Sequence, residues 1–332
     1  MNTRDRTAID DAIDAGLEYV LSLQALDGSW TEWKLPPGES SLWTTAFVGY
    51  KLRRLTSALA KKAPGARERA AEWLIRAELD GGGWGYNDAV GADADSTAYG
   101  ILFLSSLGRG VQEVTYRRLC EFRQADGGFS TYIGQHDGDS WGGSHPDVTP
   151  IAILALMTKH PPTSNLVEGG IGYVLRQQTS AGLWNSFWWE SPLYATEASL
   201  ELLDGAKVPV DTSKTSETLL SLEPHNAFEA ALLLSSLLHV GPGLLSAANR
   251  TLIDGLLKGQ QSDGSWKSEP ILRVTRRDCV EPWNHQDAGS RFADPARLFT
   301  SSMVLDALAK TSELLSGVKG QGIVLDTQKN NC

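Results

Sequence analysis

Two kinds of apolar pattern alternate along this chain. In the first segment, apolar residues recur at the spacing of one helix face with acidic residues between them, at Ile9, Ile13, Leu17, Val20 and Leu21. The segments after the loops are apolar on nearly all sides and begin near Trp43, Asp95, Asp147, Tyr194 and Leu298. A helix without a polar face is buried between two layers. The pattern therefore predicts pairs made of an outer, amphipathic helix and an inner, apolar helix.

A glycine and an aromatic residue recur where the outer helices end. Four copies fit Gln/Glu-x3-Gly-x-Trp, namely Gln24–Trp30, Glu78–Trp84, Gln178–Trp184 and Gln260–Trp266. A fifth copy, Gln124–Phe129, is one residue shorter. Because glycine accepts the positive φ of a helix C-cap at low cost, the motif predicts helix ends where Gln bonds carbonyls and Trp packs back. A sixth pair, 213–222 with 226–238, lacks the motif.

Helix pairs of this kind must stack to bury their apolar faces, either as an open solenoid or as a closed ring. We predict the ring, an all-α (α/α)6 barrel of six helix pairs with QW-type repeats. It would form one domain over residues 1–332, with a tail over about 313–332. Aromatic-rich loops at the N-terminal ends of the inner helices would surround a cavity mouth. These loops are 30–42, 129–146, 184–193 and 266–297.

Composition and charge narrow the range of partners. The net charge of −10 argues against nucleic acid, because phosphate binding needs clustered Lys and Arg. No apolar run is long enough for a membrane span, and the polar segment 1–11 does not read as a signal peptide. Three scattered cysteines predict neither a disulfide framework nor a metal knuckle, so a cytoplasmic location is expected. Peripheral membrane contact and the oligomeric state are left open.

The repeat resembles the QW motif of squalene–hopene cyclases and other class II terpene cyclases, and of protein prenyltransferase β subunits. This resemblance covers essentially the whole chain and implies the barrel fold, but both enzyme classes share it. The hopene cyclases usually carry a second barrel domain, and 332 residues leave room for only one. The chain therefore looks like a monodomain class II terpene cyclase, a type known from bacterial meroterpenoid pathways.

The segment Asp93-Ala94-Asp95-Ser96-Thr97-Ala98 resembles the Asp-x-Asp-Asp-Thr-Ala signature of the class II cyclases. The resemblance implies that Asp95 is the catalytic proton donor and that Asp93 holds its geometry. Ser96 stands where the family usually has a third Asp.

Two further loops resemble those of squalene–hopene cyclase at the same end of the barrel, and one position differs from that family. Asp147-Val148-Thr149 and the segment 193–196 look like loops that bring polar groups to the site in squalene–hopene cyclase. The hopene cyclases have a His hydrogen-bonded to the catalytic acid where this chain has Ile151. His145 is a candidate substitute.

Proton-initiated cyclisation requires an acid that is still protonated when an alkene arrives. A carboxyl in a dry pocket keeps its proton because desolvation disfavours the anion. Donors such as Ser96 or Thr97, and the helix N-terminus after Asp95, would then stabilise the carboxylate. The cation that follows needs electron-rich walls. The predicted substrate-binding and cation-stabilising residues are Trp43, Tyr99, Trp141, Asp147, Trp188, Tyr194, Trp283 and Phe299.

Simpler interpretations stand beside these. Asp93, Asp95 and Asp147 all precede helical segments, where Asp is a favoured N-cap. Trp188 and Trp189 are adjacent, so in an extended segment at most one of them faces the cavity. The repeat tryptophans are expected to be structural staples.

Three residues near the C-terminal end of the mouth loops raise the question of a metal site. Asp278, Cys279 and His285 superficially resemble the zinc ligands of protein prenyltransferases, but the spacing differs, and neither a metal nor another cofactor is predicted. The run 273–277 could meet a diphosphate, although a solvated loop face is the preferred interpretation.

The sequence therefore predicts an intramolecular terpene cyclase in which Asp95 protonates a linear isoprenoid or meroterpenoid precursor. A single barrel suggests a substrate smaller than squalene, or one whose polar head stays outside. Two alternatives stay open at this point. One is a non-catalytic isoprenoid-binding barrel, which Ser96 and Ile151 would fit as remnants of an acid site. The other is a prenyltransferase of the same fold.

Overall fold

The computed structural model describes residues 3–134, 136, 138–240 and 246–317. In chain order its longer helices are α1 (Thr3–Ser22), α2 (Leu42–Lys51), α3 (Thr56–Lys62), α4 (Ala66–Arg76), α5 (Ala94–Ser106), α6 (Glu113–Cys120), α7 (Thr149–Met157), α8 (Asn165–Arg176), α9 (Leu193–Gly205), α10 (Ser213–Ser221), α11 (Ala227–Val240), α12 (Ala247–Gly259) and α13 (Leu298–Leu315). Within these ranges, no helix is long and apolar enough to cross a bilayer.

The inner helices form a closed ring. Helices α2, α5, α7, α9, α11 and α13 each contact the next in that order, and α13 returns to contact α2. The outer helices α1, α4, α6, α8, α10 and α12 pack outside them. Inner helices such as α7 are buried along their whole length. This confirms the (α/α)6 barrel over the open solenoid. The predicted tail begins within α13, and residues 318–332 lie outside the described residues.

Each repeat aromatic joins an outer helix to the following inner helix. The indole N–H donates to a carbonyl ten residues earlier, as from Trp30 to Val20 (2.9 Å), Trp84 to Leu74 (2.8 Å), Trp184 to Val174 (2.6 Å) and Trp266 to Leu256 (2.8 Å). The backbone N–H of the aromatic residue donates to a hydroxyl on the inner helix, as at Trp30–Thr45, Trp84–Thr97, Phe129–Thr149, Trp184–Thr196 and Trp266–Ser301. We call this pair of bonds the clasp. The repeat tryptophans are therefore structural, as predicted.

The motif also links one repeat to the next. The Gln24 amide donates to the Gly28 carbonyl and to the Ala66 carbonyl at the start of α4, both at 2.9 Å. Gly28 has φ of 101°, and a Cβ there would come within 2.6 Å of the Arg69 backbone. Glycine is thus required both by the left-handed backbone and by the close approach of α4.

The mouth loops contain two antiparallel hairpins that the sequence pattern did not predict. Strand β1 (Glu32–Leu35) pairs with β2 (Gly38–Ser40), and β3 (Pro270–Thr275) pairs with β4 (Gly289–Ala293). The 184–193 loop joins the second hairpin, because the Arg273 N–H donates to the Trp188 carbonyl at 2.6 Å. Loops far apart in sequence therefore support one another across the mouth.

Candidate active site

Asp93 and Asp95 lie where α5 begins. Asp93 is the N-cap, and its carboxylate accepts bonds from the Ser96 N–H (2.7 Å) and the Ser96 hydroxyl (2.8 Å). The capping interpretation is thus correct for Asp93. Asp95, in the first turn, keeps a partly accessible side chain although protein surrounds it deeply. Its free surface therefore faces the space enclosed by the inner helices, which we call the lumen.

Burial raises the pKa of the Asp95 carboxyl well above its ordinary value, and the neighbouring carboxyls of Asp93 and Asp147 raise it further. The Trp43 indole opposes this shift because its N–H favours the charged carboxylate. Trp43 Nε1 meets no acceptor at ordinary hydrogen-bond geometry within the described residues. Burial and the two neighbouring carboxyls therefore favour the protonated form of Asp95, and one unpaired donor faces it.

Asp147 reaches the same site from the loop before α7. Its Oδ2 accepts the backbone N–H groups of Phe187 (2.9 Å) and Trp188 (2.7 Å), which fixes the 184–193 loop. Its Oδ1 is buried without a hydrogen-bond partner among the described residues. Burial raises the pKa of Asp147 to about 6. Asp147 therefore positions the loop and adds negative charge near Asp95, rather than capping α7.

Ser96 and Thr97 do not serve Asp95 in the way the sequence suggested. The Ser96 hydroxyl donates to Asp93, and burial raises the pKa of Asp93 to about 7. The Thr97 hydroxyl belongs to the clasp and donates to the Trp84 carbonyl at 3.1 Å. Both hydroxyls are committed because α5 needs an N-cap and the repeat needs its Thr.

His145 is not the missing partner of the acid. Its Nε2–H donates to the Ser140 carbonyl (2.8 Å), and its Nδ1 accepts from the Thr131 hydroxyl (2.8 Å). Its ring stacks on Phe187 at 3.9 Å. Burial lowers the pKa of His145 to about 4, so it is neutral. The expectation that His145 replaces the family histidine is wrong, since both ring nitrogens are occupied by the loop.

A cluster of aromatic rings surrounds the upper lumen. Trp43 lies 4.7 Å from Phe299, and Tyr99 and Tyr194 share a hydrogen bond of 2.6 Å between their hydroxyls. The structure adds rings that the prediction did not include in its set of binding residues, namely Trp33, Phe47, Trp189 and Phe228. Phe47 could have been found, because it lies one helical turn after Trp43 on α2.

A second group of aromatic residues lies at the rim. Trp188, Trp141 and Tyr132 contact one another, and the Arg277 guanidinium lies 4.0 Å above the Trp141 ring. Trp188 thus belongs to the rim while Trp189 joins the lumen cluster, as expected for adjacent residues in an extended segment. Trp283 makes no ring contact with either group in the part of the chain that is described.

Two of the polar residues that resemble zinc or diphosphate ligands have other partners. Asp278 forms an ion pair with Arg276 at 3.0 Å. Arg273 is buried and donates to the Ser186 carbonyl at 2.7 Å, so it holds the loop rather than facing solvent. Across the described ranges there is no group of three or more His, Cys, Asp or Glu side chains placed to hold a metal ion.

Taken with the acid and its aromatic surroundings, the barrel has the fold of the class II terpene cyclases. No family model matches the chain. Over 107 residues the chain is 36% identical to terpentedienyl-diphosphate synthase from Kitasatospora griseola, which is 30% of this chain and 19% of that protein. The match thus spans about a fifth of that relative's length.

Two solved structures are similar along nearly the whole chain. A protein from Actinoplanes has a TM-score of 0.80 at 25% identity, covering 92% of this chain and 99% of its own. A variant of the type II terpene cyclase MstE from Scytonema, in complex with its substrate geranylgeranyl dihydroxybenzoate, has a TM-score of 0.81 at 22% identity. That match covers 94% of this chain and 100% of MstE. In both neighbours the match spans essentially the whole solved chain.

Proposed function

We propose that this chain is a class II terpene cyclase in which Asp95 protonates a linear isoprenoid and starts an intramolecular cyclisation. The observation that carries the proposal is the Asp95 carboxyl itself. It faces the lumen, burial and two neighbouring carboxyls raise its pKa, and an aromatic cluster lies beside it. An acid held protonated in this way can deliver a proton to an alkene that water cannot protonate.

The surroundings also favour the state that follows proton transfer. The Trp43 indole N–H and the N-terminus of α5 both stabilise the Asp95 carboxylate once the proton has left. The cation then meets the faces of Trp43, Phe299 and Trp189, each able to stabilise positive charge by about 0.5–2 kcal/mol. The proton donor thus lies next to aromatic faces that can stabilise the cation it generates.

The relatives support an isoprenoid as the substrate class. MstE is described with geranylgeranyl dihydroxybenzoate as its substrate, and the Kitasatospora relative is named a terpentedienyl-diphosphate synthase. We infer a linear prenyl chain whose terminal alkene lies against Asp95 and whose remaining length folds into the barrel below it.

Product analysis with the purified protein tests this function. Wild type and Asp95→Asn are incubated without added metal with linear prenyl diphosphates and with prenylated dihydroxybenzoates, in H2O and in D2O. We expect from wild type a cyclised isomer of unchanged mass that gains one deuterium in D2O. Asp95→Asn should lower the rate by about 10²–10⁴-fold, the usual contribution of a general acid.

The matched control is Asp88→Asn, which changes an exposed aspartate in the loop before α5 and should leave the rate unchanged. Substrate binding without any product from wild type would favour the non-catalytic isoprenoid-binding barrel. Transfer of the prenyl group to a second molecule would favour the prenyltransferase.

A further inference from the structure

Below the acid, one face of α9 points into the barrel. Tyr194, Glu197 and Glu201 follow one another at spacings of three and four residues, so they share this face. With a rise of about 1.5 Å per residue, Glu197 lies about 4.5 Å deeper than Tyr194. Since the inner helices begin at the mouth, Glu197 is farther from solvent on that side than the acid and the tyrosine pair.

Glu197 differs from the other acidic residues at this depth. Glu201 accepts a bond from Arg53 at 2.9 Å, and Asp306 pairs with Arg53 at 3.2 Å. The Glu197 side chain is only 5% exposed, yet it has neither a hydrogen bond nor an ion pair among the described residues. A buried carboxylate is normally paired, so an unpaired one marks a place where a ligand or reaction supplies the partner.

The charge of Glu197 is nevertheless compensated at longer range. Its carboxylate raises the pKa of the Arg53 guanidinium and acts in the same direction on the Lys310 ammonium. It also acts on the hydroxyls of Tyr99 and Tyr194 above it. The carboxylate therefore lies between the tyrosine pair and a cationic floor, and its own position is not fixed by a direct partner.

We propose that Glu197 is the base that ends the cyclisation cascade, a proposal that rests on the function proposed above. Asp95 donates its proton to the alkene near the mouth, and the positive charge moves along the folded chain. At the deep end a C–H bond next to the cationic carbon breaks. Its electron pair forms the new C=C bond, and the proton passes to a Glu197 carboxylate oxygen. The product is neutral, and one proton has passed from Asp95 to Glu197.

Two physical features favour this direction of travel. A carboxylate in a medium of low dielectric attracts a cation strongly, so Glu197 draws the charge away from Asp95. The proton can then leave at the far end of the barrel. Tyr50 and Arg53, which contact Glu201, line a groove of about 1280 Å³ that opens there.

The test compares Glu197→Gln with Glu197→Asp, using a substrate that wild type cyclises. Glu197→Gln keeps the shape of the side chain but cannot accept the proton at neutral pH. We expect loss of the native alkene as the main product, with water-captured alcohols or other alkene isomers in its place. Glu197→Asp should restore the native alkene at a lower rate.

Glu201→Gln is the matched control, since it removes a carboxylate one turn deeper that is already paired with Arg53. It should lower the melting temperature without changing the product profile. An unchanged product profile and rate in Glu197→Gln would overturn the proposal. So would failure of both Glu197 variants to fold while Glu201→Gln folds, because Glu197 would then be a structural counter-ion. If wild type cyclises nothing, the proposed function itself fails.

Discussion

Asp93 and Asp95 are two residues apart, yet the first turn of α5 gives them different environments. Asp93 turns back to accept two bonds from Ser96, while Asp95 faces the lumen. Capping thus places one carboxylate beside the other, and the proximity raises the pKa of Asp95. The local rules of helix initiation therefore contribute, after burial, to the raised pKa of the candidate proton donor.

Asp93→Asn tests this link through the pH dependence of cyclisation. Asn still accepts the Ser96 N–H, so the cap remains, but the charge is gone. The pKa of Asp95 should fall, and since Asp95 must be protonated to act, the decline of the rate with rising pH should move to lower pH. Because burial raises the pKa of Asp93 to about 7, the difference should grow above about pH 7.

The measurement is a rate–pH profile of Asp93→Asn against wild type and the exposed Asp88→Asn. Each unit by which the pKa of Asp95 falls should lower the rate about tenfold on the alkaline side. An alkaline limb at the same pH in all three proteins would contradict the electrostatic coupling.

At the residue scale, the sequence motif singled out Asp95 but could not describe its whole environment. Asp93, Asp95, Trp43, Tyr99 and Tyr194 were placed because they follow a motif or lie on predicted inner helices. The position of Trp33 and the role proposed for Glu197 were not predicted. The first depends on a hairpin and the second on depth within the barrel, and spacing along the chain reveals neither.

At the scale of elements, the clasp explains why five of the six inner helices carry a hydroxyl residue in their first turn. The Trp184 N–H is buried where α9 begins, and the Thr196 hydroxyl is its partner at 3.0 Å. That hydroxyl also lies 3.4 Å from the Trp184 carbonyl. Valine has the same shape and can satisfy neither group.

Thr196→Val should therefore lower the free energy of unfolding by about 1–3 kcal/mol, the cost of a buried unsatisfied backbone group. Thr251→Val is the control, because Thr251 is exposed on α12 and bonds only the Ala247 carbonyl of its own helix. It should change stability by less than about 0.5 kcal/mol. Equal urea unfolding midpoints for both variants would show that the clasp does not contribute measurably to stability.

Element boundaries were largely predictable, and the hairpins were not. The inner helices from Leu42, Ala94, Thr149, Leu193 and Leu298 begin within about two residues of the predicted starts. Strand β3 forms because it pairs with β4 and with the 184–193 loop. Such pairing between distant segments leaves little trace in a local pattern.

At the scale of the molecule, the last repeat closes onto the first. The Gln260 amide donates to the Ala12 carbonyl at 2.8 Å, and Gly264 lies against the Ala15 backbone with φ of 89°. The Glu32 carboxylate adds bonds to the N–H groups of Ala296 and Leu298, both at 2.9 Å. The seam is thus built from the same glycine turn that joins the other repeats.

Gly264→Ala should weaken the ring at this seam. The left-handed backbone alone costs about 1–2 kcal/mol for a residue with a side chain, and a Cβ would overlap the Ala15 carbonyl. Gly255→Ala is the matched change, because a Cβ there meets nothing within 4 Å on an exposed part of α12. It should raise stability by about 0.4–1 kcal/mol. Thermal unfolding of both variants checks this. A Gly264→Ala melting temperature equal to that of wild type would show that the backbone at the seam can shift to accept a Cβ.

The glycine turns have a consequence for how such a protein can diverge. A glycine turn fixes five of the six steps from one outer helix to the next, and the six steps complete the circle. Because the ring is closed, an added helix pair could be inserted only by breaking the contacts between two neighbouring pairs. Sequence divergence is therefore expected mainly in the connections at the mouth. These differ in length, from 177–192 to 260–297, while the ring stays the same. New substrates can be explored there while the frame stays the same.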